Sequence, residues 1–263
     1  MKRQLDLNCD MGESFGIYRL GNDEEMMRHV TSINVACGFH AGDPHVMRKT
    51  VALAKAAGVG VGAHPGYPDR IGFGRRKLAV SPAEATDYVI YQVGALKAFC
   101  DAAGVALQHV KPHGEFYNMA WTDEKLAEAI LDGLLAVDRE LMFLALPGSL
   151  PFRLARARGI RVVGELYADL DYRSDGTTVI KRVHGDVDPE ATIGKVLRMV
   201  LEGRVATVDG GEVAVEGASV CLHGDNPRAP EIARRLRAAL ESAGVEVVRM
   251  GAHGAARPAG TRR

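Results

Sequence analysis

The 263 residues could make two small domains or one large α/β unit, and with 47% apolar and 25% charged residues they suit a soluble globular protein with a full-sized core. Lysine plus arginine equals aspartate plus glutamate, at 33 each, which argues against a general nucleic-acid or membrane-surface binder. Cys9, Cys37, Cys100 and Cys221 form no CxxC pair, and no run is apolar enough to span a bilayer or serve as a leader. Buried free thiols and a cytoplasmic location are therefore expected.

The chain opens with an apolar strand over 4–10, followed by a second over 32–38. Asp43-Pro44 then places a capping side chain before a proline suited to the first helical turn. A third strand spans 59–64, and Ser81-Pro82-Ala83-Glu84 is a capping box opening the next helix. Strands follow at 106–111, 141–147 and 160–168, and Asp188-Pro189 caps another helix. A small hairpin near 203–217, turning at Asp209-Gly210-Gly211, precedes a strand at 218–224. Asn226-Pro227 caps the last helix, and a weaker strand lies at 245–250. Gly58, Gly104 and Gly244 stand where helices end. Strands that are apolar throughout, alternating with helices, predict a parallel sheet buried on both faces. No linker divides the chain, so one domain is expected over 1–251, with a flexible tail over 252–263.

Polar residues gather where strands stop. The first is followed by Asp10 and Glu13, the second by His40, Asp43 and His45, and the third by His64, Asp69 and Arg70. The fourth ends in Lys111, His113 and Glu115, the sixth in Glu165 and Asp169, and the seventh in His223, Asp225 and Asn226. The turns entering strands are plain, such as AAGVG and SAGVE. Loops leaving the carboxyl ends of strands build the site in (β/α) barrels and open parallel sheets. Seven or eight strands without a dinucleotide fingerprint favour the barrel.

Any one histidine is more often structural than catalytic, and Asp43 is a helix cap under every reading. His29, His109 and His184 fall off the pattern. The joint arrangement suits acid–base work or a divalent metal held by His40, His45 and His64, although a five-residue spacing is no standard ligand pair. Lys111 could neutralise an oxyanion or simply pair with Asp6 or Glu165 inside the barrel. Arg70, Arg75 and Arg76 could grip a phosphate or an acidic partner, or form a solvated face. No GxxxxGK[ST] occurs.

The segments 6-DLNCDMGESFG-16, 34-NVACGFHAGDP-44, 62-GAHPGYPDRIGFGRR-76, 110-VKPHGEFYN-118 and 221-CLHGDNP-227 closely resemble the LamB/YcsF family, from Leu5 to about Gly251. Its characterised members are A subunits of ATP-hydrolysing 5-oxoprolinase. The resemblance implies α/β architecture, a distorted seven-stranded (β/α) TIM-like barrel of the glycoside hydrolase/deacetylase type. It also implies opening of 5-oxo-L-proline to L-glutamate, coupled to hydrolysis of ATP, with Mg²⁺, to ADP and phosphate. That activity would be shared with partner subunits B and C, and a homo-oligomer would also be compatible. Among the family positions, Asp10, Lys111, His113, His223 and Asp225 are expected to act in catalysis. Asp6, Asn8, Glu13, His40, His64 and Arg70 are expected to bind substrate. The rivals are a stand-alone metal-dependent amide hydrolase or deacetylase and a non-catalytic substrate-binding subunit. This chain departs from the family at 167-YADL-170, where Leu170 replaces the usual arginine, and at 181–188, which lacks the usual proline-glycine turn.

Overall fold

A computed structural model describes residues 3–179, 187–224, 226 and 228–251. Elements follow in the order β1 (Gln4–Met11), α1 (Asp23–Met26), β2 (Ser32–Ala36), α2 (Pro44–Ala57), β3 (Gly60–His64) and α3 (Pro82–Ala103). Next come β4 (Leu107–Val110), α4 (Gly114–Met119), α5 (Glu124–Val137), β5 (Met142–Ala145), α6 (Leu150–Ala157) and β6 (Val162–Tyr167). The remainder is β7 (Asp171–Tyr172), β8 (Thr178–Val179), α7 (Pro189–Glu202), β9 (Arg204–Ala206), β10 (Glu212–Ala214), β11 (Ser219–His223), α8 (Ala229–Ser242) and β12 (Glu246–Val247).

Seven strands run in the order β11-β6-β5-β4-β3-β2-β1, and β1 pairs back onto β11 to close a barrel. Every one of these pairings is parallel. Closure removes the exposed edges that an open sheet would leave. β12 adds a short parallel contact, Gln4 with Glu246 and Leu5 with Val247. Two antiparallel ribbons, β7–β8 and β9–β10, stand off the barrel. β1 is buried at every position after Gln4, and β2 and β3 throughout. The two faces differ, however: β1 and β2 alternate, with Asp6, Asn8, Asp10, Ser32 and Asn34 between apolar residues, so these strands are not apolar throughout as expected.

The helices start where local chemistry caps them. Asp43 accepts from the Val46 amide, Ser81 and Glu84 form the reciprocal capping box, and Asp188 accepts from the Glu190 amide. The last helix departs from expectation. It begins at Ala229, with Arg228 at the cap position and Pro230 in its first turn. Asn226 instead closes a short turn by accepting from the Arg228 amide at 2.9 Å.

The barrel lumen is polar. Asp6 accepts hydrogen bonds from Thr31, Ser32 and Ser219, and Asn8 donates to Ser219 Oγ at 2.8 Å. Asn34 donates to Asn8 Oδ1 (2.7 Å) and Asp10 Oδ1 (2.8 Å), while His109 Nε2 donates to Asn34 Oδ1 at 2.7 Å. Each of these buried groups thus finds the partner that burial demands. The chain of contacts leads up the lumen to Asp10 at the carboxyl ends of the strands.

Candidate active site

The last residues of β1, β3, β4, β6 and β11 and the loops after them line a solvent-open cleft, at the end of the barrel where substrate sites form. Asp10, His64, Lys111, His113, Tyr167 and His223 face it, with Trp121 and Leu170 on its wall. Lys111 follows the end of β4, and the proline after it stops the strand so that the side chain stays in the lumen. Its Nζ lies 2.9 Å from Asp10 Oδ1 and 3.1 Å from Glu165 Oε1, with Cys221 Sγ at 3.0 Å. Burial alone would depress the Lys111 pKa, but Asp10, Cys221 and Glu165 outweigh it and hold the ammonium well above its ordinary value. Burial likewise opposes ionisation of Asp10, yet His64 and Lys111 hold its carboxyl well below the usual carboxylate range. Cys221 is pushed up by burial, which keeps it a thiol.

Two histidines are fixed by their outer nitrogens. His64 Nδ1 donates to the Lys111 carbonyl at 2.6 Å, and His113 Nε2 donates to the Phe73 carbonyl at 2.7 Å. Phe73 has φ 54°, the left-handed region that a bulky residue rarely adopts. The inner nitrogens, His64 Nε2 and His113 Nδ1, then face each other at 2.9 Å, and His64 Nε2 is 3.2 Å from Asp10 Oδ2. His40 stacks on His113 with centroids 3.7 Å apart and planes 4° from parallel. Neither of its ring nitrogens has a hydrogen-bond partner, and the nearest carboxyl, Glu13, is 3.9 Å away. Burial, aided by the neighbouring histidines, holds His40 and His113 well below the ordinary histidine pKa and therefore neutral. His223 is the opposite case. Burial would lower it, but Asp169, 2.8 Å from Nδ1, raises it to about 9 and makes it an imidazolium at neutral pH.

Asp10, Glu13, His40, His64, Lys111, His113 and His223 therefore converge. Asp6 and Asn8 do not reach the cleft, because both are fully buried lower in the lumen with their polar atoms engaged by strand neighbours. Arg70 is turned away. It donates to the Gly38 and Gly42 carbonyls and lies 3.6 Å over the Phe15 ring, so it braces loops. His45 is exposed on α2 and contacts Arg48, because the helix carries it outward from His40. Asp225 lies outside the described residues, as do Pro227, most of the 181–188 loop and the 252–263 tail. Lys111 pairs with Glu165, as expected, and with Asp10 rather than Asp6. The site also includes Asp169, Tyr167 and Cys221, which are absent from the expected catalytic and binding sets. Asp169 at a strand end carries the same signal as its neighbours, whereas Cys221 and Tyr167 read as ordinary strand filling. Leu170 lines the cleft as an apolar side chain.

Fold and mouth together define a closed seven-stranded (β/α) barrel with a buried acid–base cluster at the carboxyl ends of its strands. The chain belongs to the LamB/YcsF family, whose sequence profile matches residues 5–254. It is 51% identical over 250 residues to the A subunit of 5-oxoprolinase from Thermococcus onnurineus, covering 94% of this chain and 98% of that one. It is 49% identical to the counterpart of the same name in Clostridium beijerinckii, covering 93% and 97%. The crystal structure of a lactam utilization protein from Thermus thermophilus superimposes with a TM-score of 0.87 at 48% identity, covering 93% of this chain and 99% of that one.

Proposed function

We propose that this chain is a subunit of an ATP-dependent 5-oxoprolinase, and that its barrel mouth holds 5-oxo-L-proline while the ring is opened to L-glutamate. The observation that carries the reading is the cleft itself. One cleft combines two fixed cations, Lys111 and His223, with the anion Asp10 and a pair of buried histidines. The near full-length identity to chains named as the A subunit of 5-oxoprolinase supplies the substrate.

A five-membered lactam resists water because its amide resonance must be broken and its leaving amine stays tethered. Transfer of the terminal phosphoryl group from ATP to the lactam oxygen, with release of ADP, would make the ring carbon electrophilic. Water then adds to that carbon, the ring C–N bond breaks as its nitrogen takes up a proton, and hydrolysis of the resulting acyl phosphate releases phosphate and L-glutamate. In this reading Lys111 and His223 are the groups that meet negative charge, on the substrate carboxylate or at the developing oxyanion. Asp10, held as a carboxylate by Lys111 and His64, is too weak a base to deprotonate water. It orients those two groups and keeps Lys111 charged. Asp169 does the same for His223. Mg²⁺ would travel with ATP.

This chain lacks a phosphate-binding glycine loop, so much of the ATP site is assigned to the partner subunits, B and C. The mouth rim supports such a partner. The loops after β1 and β3 carry the exposed apolar side chains Ile17, Tyr18 and Ile71 beside Phe15 and Arg70. The test is reconstitution with the partner subunits, measuring glutamate formed per ATP consumed. The expected result is one glutamate per ATP, with Lys111→Met lowering turnover at least about 100-fold while the fold stays intact. Undiminished turnover by folded Lys111→Met would remove the mouth from the chemistry.

A further inference from the structure

We propose that Glu13, His40, His64 and His113 form a binding site for one divalent transition-metal ion of the zinc class. Each offers a ligand atom, and these atoms all lie within 4.8 Å of one another on buried residues. The set of three imidazoles and one carboxylate is the donor chemistry of zinc, cobalt and related ions, not of magnesium or calcium.

Two further observations point to a cation rather than to packing alone. First, His64 and His113 are already oriented as metal-bound histidines are, with the outer N–H donated to a backbone carbonyl, Lys111 and Phe73 respectively. This leaves two inner nitrogens facing each other at 2.9 Å. Two lone pairs cannot meet at that distance unless a proton or a cation lies between them. Second, a shared proton would serve only that pair, and it leaves His40 fully buried with both ring nitrogens unpartnered. Orphaned buried polar atoms are costly and rare. A metal held by the facing pair satisfies His40 as well once that ring turns out of its parallel stack on His113, with Glu13 supplying negative charge.

The spacing of these residues hides the site in sequence. They come from four different strand ends, so no local motif of the HExxH kind announces it. His45, the apparent second ligand, sits on the outside of α2.

The site would exist whatever the substrate, so the proposal does not rest on the lactam reading. It is tested on the full chain without a polyhistidine tag, by titrating Zn²⁺ and Co²⁺ calorimetrically and reading the visible spectrum of the Co²⁺ form. One equivalent should bind. His40→Ala and His113→Gln should each weaken binding at least about tenfold, while His45→Ala binds as the parent does. Substoichiometric binding by folded parent protein overturns the proposal, as does affinity that survives His40→Ala or falls with His45→Ala. Should the two ligand variants not fold, the Co²⁺ form of the parent chain decides. Shifted exchangeable imidazole protons from His64 and His113 support the site, and their absence overturns it. Loss of oxoproline turnover in a metal-loaded complex would count against the proposed function alone.

Discussion

His223 and Asp169 make a pair whose electrostatics can be read in solution. The imidazole titrates at about 9 in the folded chain against 6.5 for the free group, so folding binds the proton more tightly. The pair's contribution is complete below pH 6.5 and is lost as pH rises through about 9. Unfolding free energy should therefore decline across that window, on the order of 3 kcal/mol from this imidazole. Asp169→Asn should flatten the decline, because His223 then loses the charge that raises it. Urea unfolding of both proteins at several pH values from about 6 to about 9.5 measures the difference, and parallel pH profiles would dismiss the pair as a stabilising element. The functional roles of the carboxylates separate on the same electrostatic grounds. Asp10 and Asp169 both hold cations in place, but only Asp10 sits between two of them, Lys111 and His223.

Within the elements, glycine marks where the lumen is tightest. Gly62 of β3 faces the His109 ring, and a Cβ built there would lie 2.0 Å from His109 Nε2. Backbone freedom is not the issue at this position; space is. Gly62→Ala should cost about 3 kcal/mol by overpacking. The double substitution with His109→Ser should recover part of that loss, since the two sites share one volume. Gly94→Ala in α3 meets no atom within 4 Å and should be neutral or stabilising by up to about 1 kcal/mol. Urea midpoints for the three variants check the series, and equal costs at Gly62 and Gly94 would contradict the packing argument. Burial also governs how much of the fold is legible in sequence. The barrel strands are visible because their buried positions carry short apolar stretches, continuous in β5 and interrupted by lumen polar residues in β1 and β2, and the main helices because Asp43, Ser81 and Asp188 cap them locally. Asp6, Asn8 and Asp10 alternate by two and so share the lumen face of β1. Periodicity gives the face but not the height, so Asp6 and Asn8 cannot be separated from Asp10 without the fold. His109 lies inside a strand and not at its end, which puts it off a pattern built on strand ends. The two-residue strands β7 and β8 depend on each other across a turn and carry no signal of their own.

For the whole molecule, the cleft opens on the face that also carries the most exposed large apolar side chains among the described residues. Ile17 is 87% and Ile71 95% exposed, so neither contributes appreciably to the core, and replacing both with glutamate should leave the melting temperature within about 2 °C of the parent. Both residues lie on loops leaving the carboxyl ends of strands, the loops that in a barrel surround the substrate. A partner subunit that seats there would close the mouth against water and bring phosphoryl transfer to the bound lactam, as the division of labour proposed above requires. Burying two isoleucines at such an interface contributes several kcal/mol, so the Ile17→Glu, Ile71→Glu variant should bind the partner subunits at least about 100-fold more weakly and lose oxoproline-dependent ATP hydrolysis at subunit concentrations that sustain the parent. Raising the partner concentration should restore turnover, because the catalytic cleft is untouched, whereas Lys111→Met should not be rescued this way. Sedimentation of the mixed subunits gives the affinity, and a variant that assembles normally would move the partner to another face of the barrel.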